Sequence, residues 1–212
     1  MRLYSYIVAS DTGFSPNPFS GVCTLACCKP GIRRTATVGD WIVGLTPKSD
    51  GNRILYCMEV GNLLRYDQYW RRFKCKRPNL NGSLSERSGD NIYEPKDAAV
   101  GNRLSADPRN YRQLPSRHSK PKFSNYEDPD TKRSDLSGQR VLVATKFAYF
   151  GSTPQKLPKG LNDLIVGLGY RCNFSEETKE GFLEFVKKLE FGVHAKPTRW
   201  RKDDGSWKST GC

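Results

Sequence analysis

The chain has 212 residues, 36% of them hydrophobic and 27% charged, and its 35 Lys and Arg against 22 Asp and Glu leave a formal net charge of +13. That length fits a single domain with a modest core, and a pI near 9.5 with a mean hydropathy of −0.68 predicts attraction to polyanions, nucleic acid first. No apolar run is long enough to cross a bilayer and residue 1 leads into a strand pattern rather than a secretory leader, so a cytoplasmic protein is expected, its seven cysteines read as thiols or ligands rather than a disulfide framework.

Residues 2–9, RLYSYIVA, are apolar and β-branched enough for a first strand. The loop that follows, GFSPNPFSG, is set by Pro16 and Pro18, which fix their own φ and push Ser15 and Asn17 toward extended geometry. Phe14 and Phe19 flank these prolines, either as anchors to a core or as rings lining a slot. Next comes VCTLACC with Cys23, Cys27 and Cys28, followed by Lys29, Arg33 and Arg34. A thiolate is a strong nucleophile and a soft metal ligand once neighbouring positive charge favours it, whereas a free cysteine is also an ordinary core residue. The spacing Cys-x-x-x-Cys-Cys is not a common zinc knuckle, so zinc on Cys23 and Cys28 would need a distant ligand such as His118.

Gly39-Asp40 is a turn signal into a strand at 41–44, and the turn at 47–52 joins it to a second strand at 53–61, which predicts an antiparallel hairpin with Cys57 as packing. Residues 64–78 read as a short helix ending before Pro78. Its Arg71, Arg72, Lys74, Lys76 and Arg77 suit phosphates, and Tyr66, Tyr69, Trp70 and Phe73 share a core-facing side. From 79 to 138 the composition turns polar, which predicts a long functional loop or a disordered arm. Within it lie Asp90, Asn91 and Tyr93 of GDNIY, able to move a proton or hold a base edge, or else to close an Asx-turn. His118 sits among Arg117, Lys120 and Lys122, which would keep it in the neutral form that serves as ligand or base.

Residues 139–151, QRVLVATKFAYFG, predict one long strand. Ser175 predicts an N-cap for a helix carrying Phe182, Phe185, Val186 and Leu189, and the basic tail 193–212 adds Arg199 and Arg201 around Trp200. His194 follows that helix end, where C-terminal capping is its plain role.

The block LYSYIVASDTGFSPNPFSGVCTLACCKPGIRRTATVGDWIVG, with GDNIY, His118 and RVLVATKFAYFG after it, resembles the second of the nucleotide-modification-associated domain families, found beside DNA-modification and restriction systems; the likeness runs to about Pro158. It implies an α+β protein, a small twisted, largely antiparallel sheet or a PUA-like partial barrel with a few packed helices, working on hypermodified DNA in the company of other modification-system proteins. Two functions follow. One is an enzyme on a 7-deazaguanine-type base, hydrating a 7-cyano group to the amide. Cys23 or Cys28, or a metal-bound water, would attack, Asp90 or His118 would move protons, and Phe14, Phe19, Asn91 and Tyr93 would form the base pocket. Arg33, Arg34, Arg71, Arg72, Lys74, Lys76, Arg77, Arg199 and Arg201 would hold the duplex. The other is a reader that binds the modified base without altering it.

Overall fold

A computed structural model describes residues 1–96, 106–116 and 127–200. In chain order its elements are β1 (Leu3–Ile7), β2 (Cys23–Leu25), α1 (Pro30–Thr35), β3 (Trp41–Leu45), β4 (Ile54–Glu59), β5 (Asn62–Leu64), α2 (Tyr66–Arg72), α3 (Leu84–Arg87), β6 (Tyr93–Pro95) and β7 (Tyr111–Gln113). There follow α4 (Pro129–Leu136), β8 (Val141–Ala144), β9 (Phe147–Tyr149), β10 (Tyr170–Arg171), α5 (Glu176–Val186) and β11 (Gly192–Val193).

The main sheet has the order β10-β1-β3-β4-β9-β11, with β1 parallel to β3, β9 parallel to β11, and the other pairs antiparallel. The expected β3–β4 hairpin is present, its turn closed by Gly51 at φ 88°, a left-handed geometry that costs glycine little. A second sheet runs β2-β8-β5, and β6 pairs with β7 in a separate ribbon. The fold is mixed α and β, mostly antiparallel, with no closed barrel among the described residues.

Side chains alternate along the main sheet, as a strand requires. One face presents Tyr4, Tyr6, Ile42, Tyr56, Met58 and Tyr149 to Cys23, Leu25, Leu142 and Ala144 of the second sheet. The opposite face presents Leu3, Trp41, Val43, Cys57 and Ala148 to Phe182 and Val186 of α5. That helix starts where its sequence says it should: the Ser175 hydroxyl accepts from the Thr178 amide at 3.2 Å, and Glu176 and Glu177 occupy the first turn.

Three expectations are corrected. The single strand expected at 139–151 is two, because Thr145 and Lys146 are exposed at a break that sends β8 into the second sheet and β9 into the main one. Lys146 is held at the break by Glu59, 2.7 Å away. The helix expected at 64–78 is shortened to α2 followed by one 3-10 turn, Lys74–Lys76. The polar stretch 79–138, expected as loop or arm, holds α3, β6, β7 and α4 among its described residues. Several polar residues there cap helices: Ser83 and Glu86 form a capping box, and Asp128 accepts from the Thr131 amide at 3.2 Å. No described helix is long and apolar enough to cross a membrane.

Phe182 meets Trp41 edge-on at 5.6 Å between ring centres in the core beneath α5. Phe182→Ala is expected to lower unfolding free energy by about 3–5 kcal/mol, read by urea denaturation.

Candidate functional site

Parallel strands β1 and β3 end on the same side of the sheet, at Ile7 and Leu45, and the chain opens into clefts there, as the carboxyl ends of parallel strands commonly do. The main one, of about 500 Å³, is lined by Tyr6, Val8, Ser10, Thr12, Phe14, Ser15, Cys28 and Lys29. A groove of about 450 Å³ shares Ile7, Ala9 and Lys29 with it and adds Lys48 and residues 165–169. A third hollow, of about 290 Å³, shares Val8 and Ala9 and adds Asp11, Asp50 and Arg199.

Cys28 and Lys29 form the turn at the cleft wall, and both adopt left-handed backbone, φ 60° and 42°. Two successive non-glycine residues in that region are uncommon and persist only where surrounding contacts impose them. Pro30 opens α1 and disfavours right-handed helix at Lys29. The Cys28 peptide is gripped from both sides: its N–H donates to Asp135 Oδ1 at 2.6 Å, and its carbonyl accepts from Arg33 Nε at 2.7 Å. Arg33 is fully buried. Its Nη1 bonds the Tyr66 hydroxyl and the Arg140 carbonyl (3.0 Å), and Nη2 donates to the Asp135 carbonyl at 2.6 Å. Asp135 Oδ2 accepts from the Tyr93 hydroxyl at 2.8 Å. Gly138 is required behind this grip, because a Cβ there would collide with the Arg33 guanidinium.

The Cys28 thiol is pushed up to about 11, mainly by burial and then by the Asp135 charge, while the nearby Ser15 hydroxyl and the charges of Arg33 and Lys29 pull it down less. Burial lowers the Lys29 pKa. Lys29 Nζ lies 4.7 Å from the centre of the Tyr6 ring. The Tyr6 hydroxyl pairs with Tyr56 at 2.9 Å beneath the floor. The cleft therefore offers a thiol, a cation, hydroxyls and an aromatic wall.

Of the sequence candidates, the structure brings Cys28 and Phe14 to this cleft. Cys23 is fully buried in the core between the two sheets, and burial holds its thiol far above the usual range. Asp90 is also fully buried: it accepts from Tyr69 at 2.6 Å and Thr24 at 2.7 Å, and burial raises its pKa. Lys76 is buried beside it, donates to Asn17 Oδ1 at 2.6 Å and to the Val22 carbonyl at 2.8 Å, and is pushed down to about 8 by burial. Asn91 donates to the carbonyls of Tyr69 and Phe73, and Phe19 stacks on Trp200 with ring centres 5.5 Å apart. Tyr93 supports Asp135 from behind. These residues hold the site's surroundings together and do not line the cleft.

Arg33 and Lys76 are likewise interior cations, with no face turned to a phosphate. Arg34, Arg71, Arg72 and Lys74 are exposed, Arg77 lies over the Trp70 ring at 3.7 Å, and Arg199 borders the third hollow. His118 and Arg201 lie outside the described residues. Cys23, Cys27, Cys28, Cys57 and Cys172 are free thiols, and no group of three His, Cys, Asp or Glu among the described residues could hold a metal ion. The residues that sequence reasoning missed are Tyr6, Ser10, Thr12 and Ser15 in the cleft and Asp135 behind it.

A family model described as nucleotide modification associated domain 2 matches residues 1–204. No curated protein and no solved structure matches.

Because the Cys28 thiol loses its proton near 11, its alkylation by iodoacetamide is expected to rise about tenfold per pH unit from about pH 7 to 10. Lys29→Met removes a charge that favours the thiolate and should slow alkylation at every pH, read by mass spectrometry of the Cys28 peptide. Arg33→Gln leaves a buried carboxylate and several carbonyls without their cation and should cost about 3–5 kcal/mol of stability. Arg72→Gln, a change at an exposed side chain, should leave unfolding free energy within about 0.5 kcal/mol of the wild type, read by urea denaturation.

Proposed function

The chain belongs to the nucleotide modification associated domain 2 family, and on that premise we propose that the cleft beside Cys28 receives a modified, 7-deazaguanine-type base of DNA whose electrophilic substituent the Cys28 thiol attacks. The observation that carries this reading is the two-sided grip of Asp135 and Arg33 on a left-handed Cys28 at the cleft wall. Backbone held in a sparsely populated conformation by over-determining contacts is a common mark of functional sites. A cleft of about 500 Å³ is within the range that takes a small planar ligand. The net charge of +13 supplies attraction for the phosphates.

With a 7-cyano group the sulfur adds to the nitrile carbon and the nitrogen takes up a proton, giving a thioimidate. Water then adds to the same carbon and the sulfur leaves as the thiol, so that the base gains one water as an amide. Lys29 favours the thiolate needed for the first step, and the Ser15 hydroxyl, which donates to the Cys27 carbonyl at 2.8 Å, lies on the same cleft wall. Proton transfer falls to these cleft residues rather than to the buried Asp90.

A second reading, a reader that leaves the base unchanged, is favoured by one observation: a thiol pushed up to about 11 is uncharged at neutral pH and suits packing against an apolar ring. A duplex containing 7-cyano-7-deazaguanine, incubated with the protein, digested and weighed as nucleosides, separates the two. The enzyme reading expects a gain of one water, lost in Cys28→Ala with DNA affinity kept within about twofold, and retained in Cys23→Ala. Firm binding with no change of mass establishes the reader instead.

A further inference from the structure

The segment Ile165, Val166, Gly167, Leu168, Gly169 forms the outer wall of the groove that adjoins the Cys28 cleft. Leu168 stands at its tip between two glycines, with Gly169 at φ 91°, and is 108% exposed; Ile165 and Tyr170 beside it are 41% and 38% exposed. Single exposed aliphatics are ordinary on a protein surface. A cluster on a fixed loop beside a candidate base-binding cleft is not explained by that.

The loop is fixed at its base. Ser5 donates its hydroxyl to the Leu164 carbonyl at 2.6 Å, and Tyr170 pairs with Tyr6 where β10 joins β1. Lys29, the cation of the Cys28 cleft, donates to the Gly169 carbonyl at 3.2 Å. Besides the loop itself, the groove behind the tip is lined by Ile7, Ala9, Lys29, Lys48 and Asn52, and by no carboxylate among the described residues. An apolar tip above a groove whose charged side chains are the two lysines is complementary to a base step flanked by phosphates.

We propose that Leu168 is a wedge that enters the base stack of DNA and fills the gap left when a base moves into the Cys28 cleft. The inference rests on the reading of that cleft as a base-binding site. Taking a base out of a duplex loses its stacking and pairing, and an apolar side chain inserted in its place offsets part of that loss. The short separation of tip and cleft, joined through Lys29, lets one bound duplex meet both.

The test uses the full chain and a duplex carrying 7-cyano-7-deazaguanine with 2-aminopurine as its 3′ neighbour, whose fluorescence rises when the target base leaves the stack. The wild type is expected to raise the signal. Leu168→Ala should cut the extruded fraction by about tenfold while circular dichroism and low-salt DNA binding stay unchanged, and Leu168→Phe should keep the signal. If L168A extrudes the base as well as the wild type does, the wedge is overturned and the cleft reading stands. If the wild type binds the duplex but extrudes nothing, the cleft reading falls and takes the wedge with it. If L168A instead loses binding to phosphatidylserine–phosphatidylcholine vesicles while base extrusion is intact, the loop serves a membrane surface and the proposal is overturned.

Discussion

A guanidinium buried beneath a two-residue turn is the constraint on which the arrangement of this protein depends. Arg33 projects from α1, bonds the carbonyl of Cys28 just before that helix, and reaches the carbonyls of Asp135 and Arg140 on either side of the α4–β8 turn. Asp135 answers with its carboxylate on the Cys28 amide. A buried cation whose donors are nearly all engaged is far more costly to disturb than to keep, so the elements that supply its acceptors are tied to one another and to the cleft wall. The stability of the second sheet and the geometry of the thiol thus share one set of contacts.

The same economy divides the basic residues into two populations. Arg33 and Lys76 cross-link the interior, Arg33 through carbonyls and the Tyr66 hydroxyl and Lys76 through the carbonyls of Asn17 and Val22. Arg34, Arg71, Arg72, Lys74 and Arg199 remain exposed, where their positive charge faces solvent. The cleft itself carries little charge beyond Lys29, which suits a planar base better than a phosphate.

Much of the architecture was legible in order of sequence. The apolar, β-rich runs LYSYI and ILYCME became strands, the Gly51 turn closed a hairpin, and Ser175 with its two glutamates opened α5, because each signal acts over a few residues. Legibility failed where one local pattern served two neighbours. VLVATKFAY reads as one strand, yet β8 and β9 belong to different sheets, a choice made by the partners β2 and β4 and not by the run itself. Capping residues in the polar stretch around Ser83 and Asp128 read as loop for a similar reason, since caps and turns draw on the same side chains.

By itself the sequence determined the cationic character, the family, the strand-rich body and the thiol-bearing segment that follows the Pro16–Pro18 loop. Only the tertiary structure decided which thiol meets solvent. Cys23, Cys27 and Cys28 lie within six residues and share the same neighbours in sequence, but the first two face the packed interior while the grip of Asp135, more than a hundred residues away, turns Cys28 outward into left-handed backbone. Burial and backbone strain are set by contacts across the chain, and no local pattern of residue types encodes them.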